Sequence, residues 1–227
     1  MAPLGLSAYA HAADEFQFKA FQAEYKLKKI GMTLGTAKFS LQETAPNTWH
    51  YASSIKPSGV ARMFSKDTFA EASSVLFKQG KLTPLGYQYT RTGKKPELAS
   101  VSYAWPTQKA TFTRNGKTQD LDLQDNHQDR YSMVLALMQA TAKGEQNMAY
   151  QVIDKSMKLR RYSRKGEEVI KTSLGNKNTI RIIQEGGRRQ IHYWLSPELN
   201  YIPVRIEQFK KGKSQLKLTL KKLNWEP

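Results

Sequence analysis

Five consecutive residues, Asp125-Asn126-His127-Gln128-Asp129, form the densest group of metal-ligating or acid-base side chains in the chain. An imidazole between two carboxylates could hold a hard or borderline cation, or have its pKa raised into the working range. The spacing matches no established metal signature, and Asn and Asp just ahead of a helix ordinarily act as caps and turn formers. His50 and His192 each stand beside a tyrosine, Tyr51 and Tyr193. A tyrosine and a histidine with an arginine could abstract a proton from an acidic polysaccharide, the cation holding the sugar carboxylate. Neighbours on a strand face opposite ways, so either pair needs help from an adjoining strand. No Gly-x-Ser-x-Gly elbow, phosphate loop, dinucleotide fingerprint or His-Glu-x-x-His helix occurs, which lowers the weight of an enzymatic reading without excluding it.

Positive charge is concentrated at Arg160-Arg161-Tyr162-Ser163-Arg164-Lys165 and at Arg188-Arg189. Aromatic residues between basic ones could stack on bases or sugars. A phosphate or carboxylate on an envelope glycan or lipid head group suits the same charges, while solvated hairpin tips need no ligand at all. Over the 227 residues, 36 Lys and Arg face 19 Asp and Glu, a net charge of +17 that attracts nucleic acid, anionic lipid or acidic glycan. Runs such as Lys26-Lys28-Lys29, Lys94-Lys95 and Lys210-Lys211 fall at strand ends or turns, where lysine also keeps sheet edges soluble. Cysteine is absent, which excludes thiol catalysis, thiolate metal sites and disulfides.

The first twelve residues, MAPLGLSAYAHA, are apolar and small, and Ala10-His11-Ala12 reads as the cleavage site of a secretory leader lacking a charged start. Residues 13–227 are then expected to form a single domain. No later stretch reaches the ~20 apolar residues of a membrane-spanning helix.

The elements that must position these residues follow from periodicity. Asp129 to Gly144 writes the one long helix, with Tyr131, Val134, Leu135, Met138 and Ala142 on an apolar face and Met133 and Leu137 flanking it. Asn126 and Asp129 are expected to cap its start, and Lys143-Gly144 its end. The rest alternates as strands do. Turn signals stand at Gly31, Pro46-Asn47, Gln79-Gly80, Asn115-Gly116, Gly186-Gly187 and Lys211-Gly212. A turn at Arg164-Lys165-Gly166 is expected to separate two strands, and Gly116 to Gln128 reads as the most loop-like segment. About 12 antiparallel strands cannot remain a flat sheet, so a barrel, half-barrel or two packed layers is expected, with the helix covering an opening or lining the concave side.

Tyr25 followed by Gly31 and Gly35, then Tyr51, Lys56-Pro57-Ser58-Gly59, Phe77, Pro84 and Tyr87, resembles the first half of DUF3108, a family of exported bacterial proteins. The second half is similar too: Asp129 to Ser132 opening the helix, Val169 to Gly175, and Tyr193-Trp194-Leu195-Ser196 leading to Ile202-Pro203-Val204-Arg205-Ile206. The resemblance implies secretion to the periplasm and a curled antiparallel barrel with an interior cavity. It supplies no catalytic residue. The implied shape is also similar to the periplasmic lipoprotein carriers, an analogy that does not settle function.

The expectation is therefore a non-catalytic periplasmic protein whose concave interior binds an amphipathic or anionic lipid or acidic glycan, without cofactor or metal; nucleic acid is a poor partner for an exported protein, and peripheral contact with a membrane is left open. Arg160, Arg161, Arg188 and Arg189 would hold the charged part, and Tyr87, Tyr89 and Tyr193 would line the site. The alternatives are an envelope polysaccharide hydrolase or lyase using Tyr, His and Arg, and an assembly factor presenting sheet edges.

Overall fold

A computed structural model describes residues 16–59, 66–154 and 156–226, so the expected leader at 1–12 lies outside the described residues. The strands are β1 (Phe21–Lys29), β2 (Met32–Ala45), β3 (Thr48–Pro57), β4 (Phe69–Lys78), β5 (Lys81–Arg91), β6 (Glu97–Ala104), β7 (Lys109–Arg114) and β8 (Lys117–Asp122). After them come β9 (His127–Asp129), helix α1 (Ser132–Ala142), β10 (Asn147–Ile153), β11 (Met157–Thr172), β12 (Gly175–Gln184), β13 (Arg189–Ser196), β14 (Ile202–Lys210) and β15 (Lys213–Trp225). They form one 15-stranded sheet in the order β8-β7-β6-β5-β4-β3-β2-β1-β15-β14-β13-β12-β11-β10-β9, antiparallel except where β9 joins β10.

The strand count differs from the expected 12 because two strands were not expected and two expected ones are joined. Lys117–Asp122 is a strand with one buried residue, Leu121, because it is the sheet's edge and needs no second apolar position. His127–Asp129 is a short parallel strand that alternation cannot reveal. Arg164-Lys165-Gly166 is no turn: β11 runs through it, with a register shift between Arg164 and Glu167. Such irregularities, which recur between Glu24 and Tyr25, Ser74 and Val75, and Gln208 and Phe209, bend strands and let a sheet this wide coil.

Two expectations about the helix also change. It begins at Ser132, three residues late, because Asp129 belongs to β9. Asp129 still caps it, its Oδ1 accepting the Tyr131 and Ser132 N–H groups at 2.8 and 2.9 Å, whereas Asn126 points to the Ala149 carbonyl. Gly144 ends it in left-handed backbone at φ +77, as expected. More consequentially, the helix has no wet face: every residue from Ser132 to Thr141 is buried. Its sequence carries no charge, and a helix apolar all round is stable only when enclosed.

The sheet supplies that enclosure. Helix residues pack in one core with Phe21, Tyr25, Phe39 and Tyr51 from β1 to β3 and with Ile182, Tyr193 and Leu220 from β12, β13 and β15. A second core joins Tyr87, Val101, Phe112 and Leu121 of β5 to β8 with Ile153 of β10. Opposite ends of the sheet thus meet through side chains while the backbone ladder stays open at β8 and β9. Where a hollow was expected on the concave side, the buried helix stands among the described residues, and recesses of about 800 and 520 Å3 lie elsewhere. One is at the rim by Phe18, Trp49 and Trp225, and the other beside Gln22, Lys38 and Lys222 on the outside.

Candidate functional site

The pairing directions give the shell two ends. The β1–β2, β5–β6, β7–β8, β10–β11, β12–β13 and β14–β15 turns share one end, and the β2–β3, β4–β5, β11–β12 and β13–β14 turns share the other. Helix α1 starts at the first end, because β9 runs parallel to β10, and reaches the second, where Gln139 Nε2 donates to the Gly80 carbonyl at 2.6 Å. At the first end the seam where β9 and β10 meet β4 and β5 is polar, and this end is called the mouth of the shell.

Arg130, at the link from β9 to α1, reaches across this seam. Its Nε lies 3.2 Å from Glu71 Oε1 on β4 and its Nη1 lies 3.7 Å from Asp154 Oδ1 at the β10–β11 turn. Its guanidinium sits over the Tyr89 ring, 5.9 Å from the centroid. Arg160 of β11 closes the cluster, with Nη2 3.2 Å from Asp154 Oδ2 and Nη1 3.4 Å from Gln184 Oε1. Arg130 keeps 39% of its side-chain surface exposed and Arg160 18%, so neither side chain is fully enclosed.

Glu71 occupies an inward position shared with Ser73, Val75 and Phe77, and it is 8% exposed. The Tyr87 hydroxyl donates to it at 2.6 Å. Burial pushes the Glu71 carboxyl up to about 7, against the opposing pull of Arg130 and the Tyr87 hydroxyl. Burial works against the Arg130 charge, yet Glu71, Tyr87 and Asp154 outweigh it and leave that group more basic than usual. Deeper in, fully buried Asp129 accepts from Ser73 Oγ at 2.8 Å, and burial raises its carboxyl too. Tyr131 completes the floor: its hydroxyl bonds to Ser53 Oγ and its ring stacks on Phe39 at 6.3 Å and 11°.

Of the residues singled out in the sequence, four gather here. Tyr87 binds Glu71, Tyr89 lies under Arg130, Arg160 holds Asp154, and Tyr193 is buried at 4% exposure with its hydroxyl raised to about 12, chiefly by burial. The other three stand apart. Arg161 alternates onto the outer face beside Arg160, and Arg188 and Arg189 are exposed at the β12–β13 turn. Glu71, Arg130 and Asp154 were missed; an acidic residue on the inward face of β4 was the one available signal, and the pairing across the seam had none.

The candidate metal group is dispersed. Asp125 is exposed and 4.0 Å from Lys81, Asp129 is buried, and the His127 ring is engaged by Gln124 and Met157. His50 bonds to Ser74 at 3.1 Å. His192 is on the outer face, 4.5 Å from the Phe209 ring, and desolvation together with Arg181 lowers its pKa. None of these histidine bonds is to a tyrosine or a carboxylate, so the tyrosine-histidine-arginine arrangement for polysaccharide cleavage is not assembled by them.

An open sheet coiled around a buried helix, with a charged seam at one end, defines a barrel-like class of shell. The chain belongs to the DUF3108 family, described as proteins of unknown function, whose profile matches residues 20–221. Among solved structures it is similar to a beta-barrel-like protein of domain family DUF1849 from Brucella abortus, with TM-score 0.58 and 11% identity over 92% of this chain and 98% of that one. A protein with a YmcC-like fold from Bacteroides fragilis aligns at TM-score 0.33 and 10% identity, over 91% of this chain and 96% of that one. The first likeness shows the fold alone. No curated protein matches at a significant level.

Proposed function

We propose that this is a non-catalytic binding protein of the cell envelope, in the periplasm, which holds the phosphate or carboxylate of an amphipathic lipid or acidic glycan at the mouth of the shell. The observation that carries the reading is the pair Arg130 and Arg160, both part-exposed and both fixed by carboxylates behind them. A guanidinium fork fixed in this way offers its remaining N–H groups to an anion with little ordering cost. Tyr89 and the tyrosines behind it present apolar faces beside that charge. Because α1 occupies the interior, the ligand's apolar part lies along the mouth and not deep under the helix. Gently purified protein examined by native mass spectrometry should retain an anionic amphiphile, and Arg130→Gln/Arg160→Gln should release it. Retention undiminished in the double variant would overturn the reading.

A second reading has one observation in its favour. A carboxyl near neutrality beside a tyrosine is what a general acid or base needs, and Glu71 with Tyr87 supplies it. Turnover of an acidic glycan abolished by Glu71→Gln would establish it in place of the first.

A further inference from the structure

We infer that the end carrying the mouth docks on an anionic lipid bilayer, with the tip of the β1–β2 hairpin entering the head-group layer. This concerns the outer rim and stands whether or not the mouth holds a ligand. Two-residue turns with both φ values positive join β4 to β5, β7 to β8 and β14 to β15 through Gln79-Gly80, Asn115-Gly116 and Lys211-Gly212. The same turn joins β1 to β2, but its first residue is Ile30, at φ +46. A branched apolar side chain is disfavoured in left-handed backbone and gains by leaving water. Ile30 is nevertheless 67% exposed, and Met32 just beyond the turn is 70% exposed. Where polar residues serve the other three turns, this one sets the least suitable side chain in solvent.

The tip's surroundings are cationic. Lys28 and Lys29 precede it, and the Ile30 N–H donates to the Gln215 carbonyl at 3.1 Å, which holds it against the β14–β15 hairpin. Arg189 pairs in register with Lys210, so Arg188, Arg189, Lys210 and Lys211 stand on neighbouring turns of the same end, all exposed. Glu185 on the β12–β13 turn is exposed but sits 3.7 Å from Lys165, whereas the opposite end carries Glu43, Asp125, Glu145 and Glu198 exposed among Lys19, Lys78 and Lys81. An apolar tip ringed by cations fits an anionic bilayer: the apolar groups enter among the head groups while lysine and arginine meet the phosphates. An acidic polymer would use the charges and leave Ile30 and Met32 without a role.

The test is co-sedimentation of the full chain with phosphatidylcholine vesicles, with and without about a third phosphatidylglycerol. Binding to the anionic vesicles alone, weakened by salt, is expected. Ile30→Asn/Met32→Ser should weaken it by about tenfold or more. Asn suits the turn better than Ile, so the same variant should melt no lower than the parent. Lys210→Gln/Lys211→Gln should also weaken docking, Lys78→Gln/Lys81→Gln at the opposite end should leave it unchanged, and Ile30→Asn/Met32→Ser should still retain the amphiphile held by Arg130 and Arg160, which separates docking from ligand capture at the mouth. Equal binding to neutral vesicles, or none to either, would overturn the inference. So would full binding by the Ile30→Asn/Met32→Ser variant; if that variant also kept its affinity for heparin, the end would be a general polyanion surface.

Discussion

Glu71 is where the physical chemistry of the mouth is most exposed to experiment. Its carboxyl titrates near 7 in the folded chain against an ordinary value of 4.5, so the folded state holds the proton more tightly between those limits. Stability is therefore fullest below pH ~4.5 and declines as pH rises to ~7, by about 3 kcal/mol for this group alone, and buried Asp129 acts in the same direction. Glu71→Gln should flatten much of that slope, as read by urea unfolding at a series of pH values; an unchanged slope would mean that Glu71 is ionised throughout. Protonation also removes the negative charge facing Arg130. Anion binding at the mouth should then tighten as pH falls through 7, and lose that dependence in Glu71→Gln. The tyrosines were legible in the sequence as strand aromatics, and Arg160 only within a basic run that also took in outward-facing Arg161. Arg130, Asp154 and Glu71 come together through the curl of the sheet, and alternation carries no information about which strands face each other across a seam.

At the scale of elements, α1 is the form around which the sheet is coiled. Leu135 and Leu137 are both 0% exposed, on opposing sides of the helix. Leu137→Ala should cost about 2–5 kcal/mol in denaturant unfolding with no loss of secondary structure, since the enclosing strands cannot collapse into the void. A helix free on one side would show a much smaller loss for one of the two leucines. The helix was visible in the sequence from its spacing and its Lys143-Gly144 stop, but its enclosure was not, because a stripe at 3.6 spacing was read where the decisive feature was the lack of any charge. The edge strand β8 was hidden for a related reason: with Lys117, Asp120 and Asp122 exposed, it is written to repel a neighbouring strand and so does not read as one. Asp120→Thr/Asp122→Thr removes that protection, and light scattering should then show concentration-dependent association stronger than the parent's. Identical behaviour would mean the edge is guarded by its position and not by charge.

The molecule as a whole separates its tasks along its length. The +17 charge, which sequence alone could not assign to function or solubility, is distributed unevenly, with the mouth and the lysine-rich turns at one end. On the proposed function, a long-range positive field at that end would steer anionic partners toward Arg130 and Arg160, and the filled interior would keep them from entering further. The most direct test is an NMR titration following arginine side-chain Nε–Hε signals as a short-chain phosphatidylglycerol is added, with the matching phosphatidylcholine as control. Shifts at Arg130 and Arg160, saturating together and absent at Arg181 and Arg205 on the outer face, are the predicted result. Shifts confined to the outer arginines, or equal responses to both lipids, would contradict it.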